Sequence, residues 1–215
     1  MVATRVVGRS RLPRGILVIE GELGVKLPLG KRYLLEVSEK VTMSLEERCQ
    51  SIELVLSDVD GVLTDGHLDF DNQGIETKRF YIRDGLGIKL WQKAGYRFGV
   101  VTTRSSQIVK QRAAEMQISI IRQGAEDKLA TVREIIKQQN LTPPAVCYIG
   151  DDLPDMPAAS LVGLGVAVAD ACLELRETAH YVTTAPGGRG AVREVIEMIL
   201  RAQRRWDDVV QAYRT

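Results

Sequence analysis

Ile52-Glu53-Leu54-Val55-Leu56-Ser57-Asp58-Val59-Asp60-Gly61 sets an apolar run directly before two carboxylates. A strand rising through a hydrophobic core would carry both acids to one end of a sheet. Side chains alternate along an extended chain, so Val59 turns away while Asp58 and Asp60 share one polar site. Like charges this close oppose each other's ionisation unless a proton or cation lies between them. A metal supplies that cation, leaving one carboxylate free to attack and the other to move a proton. By itself the pair also fits a surface turn, so its weight comes from what surrounds it.

Working outward, the spacing of apolar runs predicts strands over 53–57, 97–101, 118–121, 145–149 and 163–168, with a short late one at 180–183. Helical patterns fall at 85–94, 105–116, 126–139, 153–161 and 171–178, and a last helix over 189–205 follows. This alternation predicts an α/β fold, a Rossmann-like parallel sheet with helices on both faces. Such sheets bind ligands beyond the carboxyl ends of their strands, where Asp58 and Asp60 fall. One segment departs from the alternation. Residues 67–70 and 75–82 flank Asp71-Asn72-Gln73-Gly74, a β-hairpin pattern with a glycine-containing turn. Inserted over 66–83, directly after the acids, it reads as a flap or a subunit contact beside the site, or as mere decoration.

At 215 residues the chain can fill one substantial core. The main domain is expected over 43–205, followed by a C-terminal tail at 206–215. The whole chain's formal charge of +1 argues against a dedicated nucleic-acid surface. That total hides an asymmetry. Residues 1–42 hold 8 basic and 4 acidic residues, leaving 21 basic and 24 acidic in the remainder, which is mildly acidic. This N-terminal extension mixes glycine, proline and scattered arginines with short apolar pieces, and could form a hairpin or dock on a neighbour. Met43-Ser44-Leu45-Glu46-Glu47 then begins a helix with Ser44 as its cap, and Met43 is an alternative chain start. No stretch approaches the roughly 18 consecutive apolar residues of a membrane span. Arg9, Arg11 and Arg14 interrupt any secretory signal. Cys49, Cys147 and Cys172 form no CxxC pair, so a cytoplasmic protein with free thiols is expected.

Three further pieces follow predicted strands. Phe98-Gly99-Val100-Val101-Thr102 would aim the Thr102 hydroxyl and nearby backbone donors at a phosphate oxygen, or else merely lead into a helix cap. Lys128 sits in the first turn of a helix, the end that cations ordinarily avoid, which suggests work for its ammonium. Gly150-Asp151-Asp152-Leu153-Pro154-Asp155 places Asp151 to bind Mg²⁺, while Asp152 and Asp155 could hold waters, orient Lys128 or bind metal indirectly. In this scheme Asp58 attacks phosphorus to form an aspartyl-phosphate. Asp60 protonates the leaving alcohol and then activates water.

Asp58-Val59-Asp60-Gly61-Val62-Leu63-Thr64-Asp65-Gly66, Thr102, Lys128 and Gly150–Asp155 resemble the four motifs of the haloacid dehalogenase-like phosphohydrolases in order, spacing and strand context. Over about residues 43–205 the chain is similar to the 3-deoxy-D-manno-octulosonate 8-phosphate phosphatase family. That resemblance includes Arg83-Asp84-Gly85 and Pro186-Gly187-Gly188-Arg189-Gly190. It implies a minimal cap, a Mg²⁺ cofactor, a homotetramer and a place in lipopolysaccharide precursor synthesis. It further implies Asp58 as nucleophile, Asp60 as acid/base and Thr102 and Lys128 as phosphate-site groups. Asp58, Asp151 and the backbone carbonyl of Asp60 would hold the metal. Arg189 would clamp an acidic sugar, in cis or in trans, and Arg83 would meet the substrate or brace the hairpin. Thr103 departs from the family's Thr-Gly-Arg pattern and would be strained if its position required positive φ.

The reading therefore predicts an acidic sugar phosphate as the partner, with neither nucleic acid nor membrane. The octulosonate 8-phosphate is the favoured substrate. A nonulosonate 9-phosphate, a receiver-like phosphoaspartate switch and a catalytically lapsed interaction subunit are the alternatives.

Overall fold

The computed structural model describes residues 16–17, 35–36 and 43–214. The chain divides into two units, residues 1–42 and 43–215. In the first, strand β1 (Ile16–Leu17) pairs antiparallel with β2 (Leu35–Glu36), and the rest of the predicted extension lies outside the described residues.

The second unit opens on α1 (Leu45–Gln50) with the expected capping box. Ser44 Oγ accepts from Glu47 N at 3.2 Å, and Glu47 Oε2 accepts from Ser44 N at 2.7 Å. Strand β3 (Leu54–Ser57) is buried along its whole length, as a strand covered on both faces must be. The predicted hairpin is present but short: β4 (Asp69–Phe70) pairs only with β5 (Glu76–Thr77). Beyond Thr77 the chain leaves the ladder and turns the Lys78 side chain fully inward.

Helix α2 (Ile82–Lys93) begins three residues before the expected 85, because Tyr81 is extended and Asp84 suits the first helical turn. Then come β6 (Arg97–Thr102), α3 (Gln107–Glu115), β7 (Ile120–Gln123) and α4 (Lys128–Gln138). The strand expected over 118–121 starts at 120 because Ile118 N closes the turn after α3, donating to Ala113 O at 2.9 Å. Next are β8 (Val146–Gly150), α5 (Met156–Leu161), β9 (Leu164–Ala167), α6 (Leu173–Thr178) and β10 (Tyr181–Val182). The single helix expected over 153–161 is a 3₁₀ turn at Leu153–Asp155 followed by α5. Pro157 has no N–H with which to continue an α ladder from that turn.

The helix expected over 189–205 is α7 (Ala191–Ala202), ended by Arg204 at φ 56°. The segment expected as a tail is instead α8 (Trp206–Gln211). Trp206 is buried, and the Arg193 and Arg201 guanidinium groups lie 5.2 and 5.0 Å from its ring centre.

The six strands of the main sheet run β10-β9-β8-β3-β6-β7, with every pairing parallel. Helices α1, α2 and α7 pack together, and α4, α5 and α6 form a second group. The sequence leaves β3 toward β6 and later crosses to β8 on its other side. The carboxyl ends of β3 and β8 therefore flank the switch point where such sheets bind ligands. No helix among the described residues is long and apolar enough to cross a membrane.

Candidate active site

Each expected strand-end residue arrives at this switch point. Asp58 follows β3, Thr102 ends β6, and Asp151 follows β8. Asp127 accepts from Ala130 N at 2.9 Å and caps α4, which makes Lys128 the first helical residue. The Lys128 ammonium turns away from the helix and donates to Asp58 Oδ2 and Asp155 Oδ1, both at 2.6 Å. All three side chains are buried.

Asp155 is the fully buried hub. Its Oδ1 also accepts from the Tyr148 hydroxyl at 2.6 Å, and its Oδ2 accepts from Asp151 N at 3.0 Å and Asp152 N at 3.3 Å. Of the alternatives the sequence left open for it, orienting Lys128 is the one the geometry carries. Asp152 is exposed and accepts from Leu153 N at 2.8 Å, capping the 3₁₀ turn.

Carboxylate oxygens of Asp58, Asp151 and Asp155 lie within 4.8 Å of one another. Burial, then repulsion from Asp155, pushes the Asp58 carboxyl up to about 6. Burial with the charges of Asp155 and Asp58 pushes Asp151 up to about 8. Burial pulls the Lys128 ammonium down, but its two carboxylate partners outweigh that and the net direction is up. One ammonium among three acids leaves an excess of hard oxygen donors, which fits a divalent cation. Since Asp155 already serves four donors, Asp58 and Asp151 are the carboxylates left for direct ligation. Gly61 makes room for this arrangement: a Cβ there would fall 2.1 Å from Asp151 Oδ2, and its φ of 89° suits glycine.

The Asp60 side chain lies outside that acidic cluster. Lys78, reaching in from the hairpin segment, donates to Asp60 Oδ1 and also pairs with Glu76 at 3.2 Å. Arg104 Nε lies 3.5 Å from Asp60 Oδ2 and Arg104 Nη2 3.0 Å from Glu76. Asp60 Oδ2 is buried and accepts no hydrogen bond, an oxygen available for proton transfer.

Thr102 is buried, and its carbonyl accepts from Ala125 N at 3.1 Å. Thr103 is exposed and is not among the residues with positive φ, so its side chain imposes no backbone strain. Arg83 and Arg189 are both exposed, the first in α2 and the second in the loop before α7. Sequence reasoning missed Lys78 and the Tyr148 hydroxyl. The one available signal was Tyr148 itself, a polar tip inside an apolar run that required a buried partner.

Residues 106–196 match the family model of the haloacid dehalogenase-like hydrolases. The 3-deoxy-D-manno-octulosonate 8-phosphate phosphatase of Yersinia pestis is 45% identical over 157 residues, spanning 73% of this chain and 84% of that protein. Among solved structures, that phosphatase from Moraxella catarrhalis, in complex with magnesium, phosphate and a KDO molecule, superposes with TM-score 0.77 at 40% identity. The match covers 78% of this chain and 97% of that one. The cobalt-bound form from Haemophilus influenzae gives TM-score 0.75 at 38% identity, covering 78% and 99%. With relatives this similar over most of their length, the chain belongs to the haloacid dehalogenase-like hydrolases, in the family of the 3-deoxy-D-manno-octulosonate 8-phosphate phosphatases.

Proposed function

We propose that this hydrolase is a Mg²⁺-dependent phosphomonoesterase that releases phosphate from 3-deoxy-D-manno-octulosonate 8-phosphate through an aspartyl-phosphate on Asp58. The observation that carries the reading is the buried Asp58–Lys128–Asp155 bridge beside Asp151, at the switch point of the sheet. Asp58 and Asp151, with the backbone carbonyl of Asp60, would hold Mg²⁺, which when bound neutralises charge on the transferring phosphoryl group.

The chain's own residues supply the rest. Asp58 Oδ2 is oriented by Lys128, and its Oδ1 accepts from Val59 N at 2.6 Å, so the nucleophile is held from two sides. Lys128 and the Thr102 region offset charge on the phosphoryl oxygens. Asp60, steadied by Lys78 on one oxygen and accepting no hydrogen bond on the other, which Arg104 Nε approaches to 3.5 Å, protonates the departing sugar alcohol. It then takes a proton from the water that clears the aspartyl-phosphate. Exposed Arg83 and Arg189 are the candidate groups for the sugar carboxylate.

Oligomerisation into a homotetramer would enclose a site that so small a cap leaves open. Exposed Leu68, Phe70 and Ile75 on the hairpin segment suit such a contact. The three free cysteines suit a reducing cytoplasmic setting.

The test is Mg²⁺-dependent phosphate release from 3-deoxy-D-manno-octulosonate 8-phosphate, beside nonulosonate 9-phosphates and simple sugar phosphates, with Asp58→Asn as control. Selectivity for the octulosonate that the substitution abolishes is the expected result. Turnover of another substrate alone would keep the chemistry and overturn the pathway. No turnover by folded protein would overturn the enzyme reading.

A further inference from the structure

On the hairpin the apolar and charged residues are reversed from what a surface flap requires. Ile75 is 55% exposed, whereas the Glu76 side chain beside it is 18% exposed. Side chains alternate along an extended chain, so Glu76 and Lys78 turn to one side and Ile75 and Thr77 to the other. The inward pair meets the loop after β6. Glu76 Oε1 lies 3.2 Å from Lys78 Nζ and accepts from Arg104 Nη2 at 3.0 Å. Its Oε2 accepts from the Ser106 hydroxyl at 3.4 Å. Ser106 stands at the N-cap of α3 but makes no side-chain cap there, and its hydroxyl serves Glu76 instead. Burial opposes ionisation of Glu76, but its contacts with Lys78 and Arg104 outweigh this and hold the carboxyl below its usual range.

The same two cations reach Asp60. Lys78 donates to Asp60 Oδ1, and Arg104 Nε lies 3.5 Å from Asp60 Oδ2. Asp60, Lys78, Glu76 and Arg104 therefore close a ring in which negative and positive side chains alternate. Lysine and arginine lose much rotamer freedom when they are fixed in one place. A second carboxylate that holds both of them offsets that loss before any substrate arrives. Glu76 is the ring member with no part in the catalytic scheme, and it joins the hairpin to the loop after β6.

We propose that Glu76 is a positioning residue for proton transfer: it fixes Lys78 and Arg104 against the two oxygens of Asp60, and so holds Asp60 in the orientation from which it protonates the leaving oxygen. The inference rests on the reading of Asp60 as the acid/base. In the first step the Asp60 proton passes to the ester oxygen as its bond to phosphorus breaks and phosphorus bonds to Asp58. In the second, Asp60 takes a proton from water as the water oxygen bonds to phosphorus and the bond to Asp58 breaks. A leaving group that is a weak acid depends most on the first transfer, so Glu76 matters most for the poorest leaving groups.

The experiment measures first-turnover release of the leaving group from phenyl phosphate and p-nitrophenyl phosphate, with Mg²⁺ present, by wild type, Glu76→Ala and Asp60→Asn. The two esters are similar in shape, but p-nitrophenolate departs without a proton far more readily than phenolate. Glu76→Ala is expected to slow phenol release about tenfold or more, while p-nitrophenol release stays within about threefold. Equal slowing on both esters, or wild-type rates on both, overturns the inference. Asp60→Asn tests the reading beneath it. If that variant slows both esters equally, Asp60 is not the acid and the inference falls with the reading. If Asp60→Asn discriminates between the esters and Glu76→Ala does not, the inference alone fails. Should Glu76→Ala not fold, Glu76→Gln carries the comparison, because its Oε1 can still accept from both cations. A smaller loss that still falls more heavily on phenyl phosphate is then expected, and equal loss on both esters overturns the inference.

Discussion

The Lys128 ammonium lies 2.6 Å from both Asp58 and Asp155, so one cation holds the proposed nucleophile and the residue behind it in a single buried triad. Removing the cation leaves two carboxylates facing each other without compensation. Lys128→Met is expected to destabilise the fold by about 3–5 kcal/mol, the usual result of deleting one partner of a buried ion pair. It should also lower kcat at least ~10²-fold through lost charge stabilisation. Urea denaturation and phosphate release measure the two effects separately. Unchanged stability would show that the triad is not formed in solution.

Lys78 is the group that ties the hairpin segment to the chemistry. Its side chain is fully buried against Asp60 and Glu76, and no other lysine is in reach of Asp60 among the described residues. Lys78→Met would release Asp60 from its fixed orientation while keeping most of the apolar stem. We expect kcat to fall by roughly 10²-fold, the lower end of a positioned acid/base contribution. Burst kinetics with p-nitrophenyl phosphate would tell which step slows. Full activity in this variant would remove Lys78 from the catalytic site.

How much of this was legible before the fold was known follows from where each residue gets its meaning. Asp58, Thr102 and Asp151 were readable because each ends a buried strand, and a parallel sheet brings strand ends together whatever the loops do. Lys128 was readable because a cation in a helix's first turn is locally unfavourable. Lys78 gave no such signal: its contact with Asp60 depends on how the chain leaves a two-residue ladder 18 positions later. Asp84 was visible in Arg83-Asp84-Gly85, but its hydrogen bond from Gly190 N is created only when the start of α7 arrives from 106 residues away. Trp206 likewise fell in the expected tail, and the two guanidinium groups near its ring come from α7. The Thr103 question could be posed from sequence but needed the backbone φ to answer it.

The raised acids predict a proton-linked metal site. Asp58 stands near 6 and Asp151 near 8, both above the ordinary 3.8, because burial and mutual repulsion favour the neutral form. A raised folded-state value means that the stabilising contribution is fully present below 3.8. It is lost as pH rises through 6 and then 8. Without metal, thermal stability should therefore fall between about pH 4 and 8. Adding Mg²⁺ should offset the loss, with affinity rising over the same window because the cation must displace protons. Melting curves with EDTA and with Mg²⁺, and calorimetric titrations in buffers of different ionisation enthalpy, check both halves. Metal affinity independent of pH between 6 and 8 would contradict the assignment of Asp58 and Asp151 as ligands.

Gly187 offers the sharpest test of how closely the loop before α7 must approach the catalytic turn. A Cβ at this position would lie 1.8 Å from Gly61 O and 3.3 Å from Thr64 O, inside backbone that has little freedom to move. Gly187→Ala must therefore push the loop off the turn that carries Asp60, breaking the Gly187–Asp170 and Gly188–Val62 hydrogen bonds along with the contact. We expect destabilisation of about 1–3 kcal/mol from overpacking, and a loss of activity larger than that stability change explains. Gly74→Ala separates steric contact from backbone strain. Gly74 has φ 76° but nothing within 4 Å of the point a Cβ would occupy, so only the conformational cost of about 1–2 kcal/mol applies there, without loss of turnover. Equal kinetic behaviour of the two variants would mean that close approach at Gly187 has no part in organising the site. Inactive Gly187→Ala beside active Gly74→Ala would tie catalysis to this one backbone contact.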